Sequence, residues 1–145
     1  VGLVCSSRFA ERYFFDQYEY GDLVIETTLE KLSELPFLLR EVGSGSRDNI
    51  DRFFKNANLS PIIMAESISP QVLIKLCQQN LGITTAPDSQ IREFQKNGEF
   101  VELQVPGHEI SRNYYLIYHK NKYFTYGMQV FLDYLRNQFP DRKLR

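Results

Sequence analysis

The residues best suited to chemistry are small polar ones at the start of a helix, in the turn Gly43-Ser44-Gly45-Ser46-Arg47. Gly43 and Gly45 let the backbone approach a ligand and adopt conformations that other residues resist. Unpaired N–H groups at a helix start carry partial positive charge. Ser44 and Ser46 add hydroxyls, and Arg47 adds a guanidinium able to grip a carboxylate in two places. A small anion is the natural ligand. The plain alternative is a tight turn with Ser46 as N-cap. Pattern alone favours it, because Gly-Ser turns are common. The turn is not a P-loop, since it lacks that motif's spacing and its Gly-Lys-Ser/Thr ending. Ser67 and Ser69 pose the same choice: Ser69 caps a helix beginning at Pro70, and Ser67 is freer to face a ligand. Thr84 and Thr85 end another strand, where they offer hydroxyls to the same rim or act as β-branched strand residues.

Catalysis has little support. His108 falls in a Pro-Gly-His-Glu turn, and His119 ends a strand beside Lys120. Neither suggests a nucleophile–base pair. Glu30 with Glu34, and Glu93 with Glu99, read as solvated faces. No metal motif, dinucleotide fingerprint or other cofactor signature is present. Cys5 and Cys77 belong to no zinc-type cluster and read as buried free thiols, with a disulfide between them left open. Net charge is −1 over 145 residues, which argues against a dedicated nucleic-acid surface. The basic tail Asp141–Arg145 reads as a solvated terminus. No secretory signal is legible, and no run approaches the ~20 apolar residues of a membrane span. The cytoplasm is the default location. A strand at residue one suggests a piece of something longer.

The elements that must position these groups alternate. Val1–Cys5, Phe37–Leu39, Pro61–Ala65, Ile83–Ala86, Phe100–Val105 and Tyr114–His119 read as short strands, the Pro61 strand as buried. Helices are expected at 29–35 behind Thr28, at 47–56, from Ser69-Pro70 to about Asn80, behind Asp88 or Ser89, and at 126–139 with Val130, Phe131, Tyr134 and Leu135 on one face. Gly82 is expected to close the fourth-strand helix with positive φ. The aromatic and acidic segment Tyr13–Asp22 reads as a loop folding back onto the domain. This order predicts an α/β three-layer sandwich with a mainly parallel sheet. Such sheets bind ligands at the carboxyl ends of their strands.

The run Thr28–Arg47, with Pro36-Phe37-Leu38-Leu39-Arg40-Glu41-Val42-Gly43-Ser44-Gly45-Ser46-Arg47 at its end, resembles a stretch of LysR-type transcriptional regulators. Ser69 followed by a helix, then Asn80-Leu81-Gly82-Ile83 and Pro87-Asp88-Ser89, is similar to the same family. So is Tyr115–Lys120 through Phe131–Leu135. The resemblance implies a sensor, not an enzyme. It implies a periplasmic binding protein type 2-like subdomain, a small and anionic effector in an interlobe cleft, and a homodimer without membrane contact. Residues 1–113 would be the second regulatory subdomain with the first crossing strand. Residues 114–145 would be the second crossing strand and a helix returning towards a first subdomain. DNA would be met only through a helix-turn-helix not included in these residues. The Gly43–Arg47 turn matches the turn that faces the cleft, and Ser6 or Ser7 would line the same cleft; Ser67, Thr84 and Thr85 follow as weaker bets. Tyr13–Glu26 is longer than the family's usual link. The same architecture also fits a lobe of a transport-type solute-binding protein, and an enzyme holding a phosphorylated substrate is a third class.

Overall fold

The computed structural model describes residues 1–108, 110 and 115–139. The chain divides into two units, Val1–Asn113 and Tyr114–Arg145. In chain order the first contains β1 (Gly2–Ser6), α1 (Ser7–Tyr13), β2 (Val24–Glu26), α2 (Leu29–Ser33), β3 (Pro36–Arg40), α3 (Gly45–Lys55), β4 (Ile62–Ser67), α4 (Pro70–Gln78), β5 (Thr84–Ala86), α5 (Asp88–Lys96) and β6 (Phe100–Gln104). The second contains α6 (Tyr126–Gln138).

The strands form the ladders β2-β6-β1-β5 and β3-β4. A bridge between Phe37 and Ile83 joins them, with Ile83 N–H donating to Pro36 O at 2.9 Å and Leu38 N–H to Ile83 O at 2.8 Å. Five strands run one way. β1 runs against both its neighbours, β5 and β6. Alternation along the strands sends side chains to two faces. Leu3, Cys5, Ile25, Phe37, Leu39 and Leu103 meet α1, α2 and α3 on one face. Val4, Leu38, Ala86 and Phe100 meet α4 and α5 on the other. The result is three layers. Cys5 and Cys77 belong to opposite faces and are both free thiols, which closes the question of a disulfide.

Two elements, α1 and β2, had no sequence expectation, and two expectations, for β4 and Gly82, need correction. The segment after β1 is helical: Ser6 Oγ accepts from Phe9 N–H and opens α1, with Phe9 and Ala10 buried. Of the aromatics that follow, Phe14 is buried, whereas Phe15 and Tyr20 are exposed. β2 is only three residues long and exists through its parallel pairing with β6. β4 is not a buried strand. It is the last in its ladder, and Ile62, Ile63 and Met64 are exposed, because a terminal strand has a neighbour on one side only. Positive φ after α4 falls on Asn80, at 65°, not on Gly82. Gly82 is needed for another reason: a Cβ there would lie 2.6 Å from Pro36 O.

In the second unit, Thr125 Oγ1 accepts from Met128 N–H at the start of α6. Leu132 is buried, whereas Val130, Phe131 and Tyr134 are exposed. No strand forms over 115–119. A strand exists through its ladder, and among the described residues nothing pairs with this segment. Its expected beginning at 113–114 and the basic tail lie outside the described residues.

Candidate functional site

Strand polarity decides which loops share an edge. The carboxyl ends of β3 and β4 are adjacent, with Arg40 opposite Ser67 in register. Each strand leads directly into a helix, so α3 and α4 begin beyond neighbouring strand ends, from which they pack on opposite faces of the sheet. Phe54 packs edge-on against Phe37 at 5.3 Å between ring centroids, and Phe53 against Phe54 at 5.6 Å. These buried contacts fix α3 on β3 and so fix the turn before it.

Within the turn, Gly43 has φ +92°, a region that costs other L-residues about 1–2 kcal/mol. Ser44, not Ser46, is the N-cap, accepting from Arg47 N–H at 3.2 Å. The cap moves two residues upstream because Gly45 already has helical conformation. Ser46 is half-buried, and its hydroxyl makes no hydrogen bond to the described residues. Gly45 is open: nothing stands within 4 Å of where its Cβ would be. Asp48 N–H returns to Ser44 O, and the amides of Gly45 and Ser46 have no hydrogen-bond acceptor among the described residues. At the neighbouring turn, Ser67 Oγ accepts from Ser69 N–H at 3.1 Å, and Ser69 Oγ donates to Gln71 Oε1. Ser69 is thus the N-cap by position but makes no side-chain cap bond.

Arg47 does not point at a ligand. It is buried, and its guanidinium is occupied within the protein. Nε donates to both carboxylate oxygens of Asp51, at 2.9 and 3.1 Å. Nη1 donates to Arg40 O at 3.2 Å and to Glu66 Oε1. Burial opposes the charge, but the bonds to Glu66 and Asp51 outweigh it and hold the guanidinium above its ordinary pKa. Arg40 is occupied as well, with Nε and Nη2 on the Glu41 carboxylate at 2.8 and 2.9 Å.

The remaining predicted residues divide. Thr84 is buried and donates to Leu38 O at 2.8 Å, so it serves the β5–β3 junction. Thr85 is half-buried, in register with Leu3. Ser6 and Ser7 do not join the rim. Because β1 is antiparallel, its end lies beside the amino end of β6, with Ser6 opposite Phe100. Ser6 Oγ donates to Asn80 Oδ1 at 2.7 Å, and Ser7 Oγ to Gly98 O at 2.7 Å. Both acceptors lie in loops that precede strands, at the edge opposite Ser44 and Ser67.

One feature of the carboxyl edge was not anticipated. A cavity of about 410 Å³ opens beside the exit of β6, lined by Glu26, Asp88, Glu102, Gln104 and His108 among others. None of the residues predicted from sequence lines it. Its carboxylates oppose an anion, so it does not extend the serine rim chemically. The local signal for it was weak, since the three acidic residues are far apart in sequence.

An α/β lobe with helix starts gathered at the carboxyl edge of a mainly parallel sheet is a ligand-binding class of architecture. The chain belongs to the LysR substrate binding domain family, whose profile matches residues 24–140. It is 32% identical over 108 residues to the HTH-type transcriptional activator CmpR of Synechocystis sp., covering 74% of this chain and 36% of that protein. It is 30% identical over 105 residues to the RuBisCO operon transcriptional regulator of Acidithiobacillus ferrooxidans, covering 72% and 34%. The chain therefore spans about a third of these relatives. Among solved structures, the regulatory domain of Synechocystis PCC6803 CcmR in complex with 2-PG superposes with a TM-score of 0.71 at 21% identity, covering 97% of this chain and 62% of that one. The effector binding domain of QuiR in complex with shikimate gives 0.65 at 18% identity, covering 99% and 62%. The fold is that of LysR effector-binding domains, periplasmic binding protein type 2-like. These relatives are transcriptional regulators. No described helix is long and apolar enough to cross a membrane.

Proposed function

We propose that this chain is the effector-sensing part of a LysR-type transcriptional regulator, and that its Gly43–Ser46 and Ser67–Ser69 turns form one wall of the ligand cleft. One observation carries the reading: two helices begin at the carboxyl ends of adjacent strands, and at the first the Gly45 and Ser46 amides and the Ser46 hydroxyl have no partner among the described residues. The ligand is a small polar molecule whose anionic or hydroxylated end meets these dipoles. That shikimate and 2-PG occupy two structural relatives supports small, oxygen-rich ligands. The opposite wall, the DNA reader and the oligomer that responds to the ligand belong to the parent regulator. The chain carries no catalytic step and works in the cytoplasm. The exposed Val130, Phe131 and Tyr134 of α6 suit contact with the regulator's other subdomain. The regulator relatives give no support to a transport-type lobe.

The test follows backbone amides by heteronuclear NMR while shikimate, as a hydroxylated monocarboxylate, is added. Shifts are expected at Gly45, Ser46, Ser67 and Ser69, and Ser46→Ala should weaken binding by about three- to tenfold. Shifts confined to the Ser6, Ser7 and Gly98 edge would overturn the assignment of the wall.

A further inference from the structure

The sequence contains one Asn-Gly pair, Asn97-Gly98, and it stands in the exposed turn that ends α5. An asparagine before glycine is the dipeptide most open to imide formation, because no Cβ shields the glycine nitrogen from the neighbouring carboxamide. We propose that Asn97-Gly98 is a modification site of this chain: a spontaneous deamidation site that the C-terminal turn of α5 keeps closed, and whose isoaspartyl product unfastens α5 from α1.

The reaction needs no partner but water. The Gly98 nitrogen loses its proton to solvent and attacks Asn97 Cγ. The N–Cγ bond forms, the Cγ–Nδ2 bond breaks, and the side-chain nitrogen leaves as ammonia. Water then opens the cyclic imide. Opening at one carbonyl gives aspartate; opening at the other gives isoaspartate, whose main chain runs through Cβ and Cγ and is one methylene longer.

The fold opposes the first step in two ways. Asn97 has ψ 2°, so the Gly98 nitrogen eclipses Asn97 N and is turned away from Cβ. Ring closure requires rotating it to the Cβ side. The nucleophile is also tied down. Gly98 N–H donates to Gln95 O at 3.0 Å, and Glu99 N–H donates to Phe94 O at 3.0 Å. With Gly98 at φ +66°, these are the paired bonds of a Schellman turn. From outside, Ser7 Oγ donates to Gly98 O at 2.7 Å and Ser7 N–H to Glu99 O at 3.1 Å. Ser7 is the first residue of α1, so it clasps the end of one helix to the start of another. Rotation at Asn97 breaks the turn and the clasp together, which makes their opening the gate. In the isoaspartyl product the added methylene shifts Gly98 N–H away from Gln95 O and Gly98 O away from Ser7, so neither re-forms.

The test incubates the 145-residue chain at mildly alkaline pH, folded in buffer and unfolded in urea. Peptide mass spectrometry reads conversion of amide to acid at each asparagine. Unfolded, Asn97 should convert first. Folded, it should convert at least about tenfold more slowly, because several hydrogen bonds must open at once. Ser7→Ala removes the hydroxyl clasp and should speed the folded reaction by about three- to tenfold while leaving the unfolded rate unchanged. The isoaspartyl protein, separated by ion exchange, should lose hydrogen-exchange protection at the Gly98 and Glu99 amides and keep it at Val4 and Val101. Equal folded and unfolded rates at Asn97 overturn the proposal, and that comparison decides alone if Ser7→Ala does not fold. A folded Ser7→Ala that reacts no faster than wild type overturns it as well, as does an isoaspartyl product with Gly98 still protected.

Discussion

Gly82→Ala should destabilise the protein by more than any other single added methyl at a glycine outside the turns, because it parts the strands that bring the site together. A Cβ at Gly82 would stand 2.6 Å from Pro36 O and 3.2 Å from Leu38 Cγ. The first of these atoms is backbone, and it accepts the Ile83 N–H at 2.9 Å. Retreat of Pro36 therefore weakens that bond and its neighbour, Leu38 N–H to Ile83 O. Two weakened hydrogen bonds cost about 1–3 kcal/mol, and overpacking a tight site costs about as much again. Reduced freedom of the unfolded chain returns about 0.4–1 kcal/mol. The net loss is about 3 kcal/mol, a fall of roughly 6–10 °C in melting temperature for a domain of this size. Urea and thermal denaturation measure the loss, and hydrogen exchange at Leu38 and Ile83 localises it. Gly45→Ala is the control, since its Cβ enters open space; it should stay within about 0.5 kcal/mol of wild type. A Gly82→Ala protein as stable as wild type, with Leu38 and Ile83 still protected, would refute the close approach of β5 to β3.

Three further outcomes are expected. Ser44→Ala should cost about 1 kcal/mol in urea denaturation through loss of the α3 cap, whereas Ser46→Ala should leave stability within about 0.5 kcal/mol. Arg47→Ala should cost about 1–3 kcal/mol by the same measurement, less than a fully buried ion pair, because Asp51 and Glu66 can turn to solvent. Burial pushes the Cys77 thiol up to about 12 from an ordinary 9.0 and raises Cys5 well above the same value. The unfolded chain therefore loses these protons first. Stability is fully present below pH 9.0 and falls as pH rises towards about 12, and Cys77→Ala should flatten that fall by up to about 1.4 kcal/mol per pH unit, read from urea midpoints across the window.

What could be read from the residues in advance was what short-range physics controls. Ser69-Pro70 placed the start of α4, Gly98 the end of α5, and the spacing of Ile50, Phe53 and Phe54 the buried face of α3. The failures share a cause. β2 has three residues, and only its pairing with β6, far along the chain, makes it a strand. α1 was hidden by a mixture of aromatic and charged residues, although Ser6 stood in front of it as a cap. Gly82 was recognised as a required glycine, but the requirement is contact with Pro36 from a distant strand, not a helix ending.

Two non-local facts decide which of the predicted site residues come together. Strand polarity is one. Ser6 and Ser44 both follow apolar runs, and nothing local says that β1 runs against β3. A single reversal sends Ser6 to the opposite edge, where its hydroxyl serves Asn80. Partner assignment is the other. An arginine beside a glycine-serine turn looks like a ligand grip until its acceptors are known. The Asp51 at i+4 was a legible warning; Glu66, on the next strand, was not. In this fold the helix that presents a turn also presents its charge to the neighbouring strand. Glu66, one residue before the end of that strand, shares the guanidinium with Asp51 and with Arg40 O. The acceptors that occupy such an arginine lie on its own helix and across the ladder, and only the first of these is legible in the sequence.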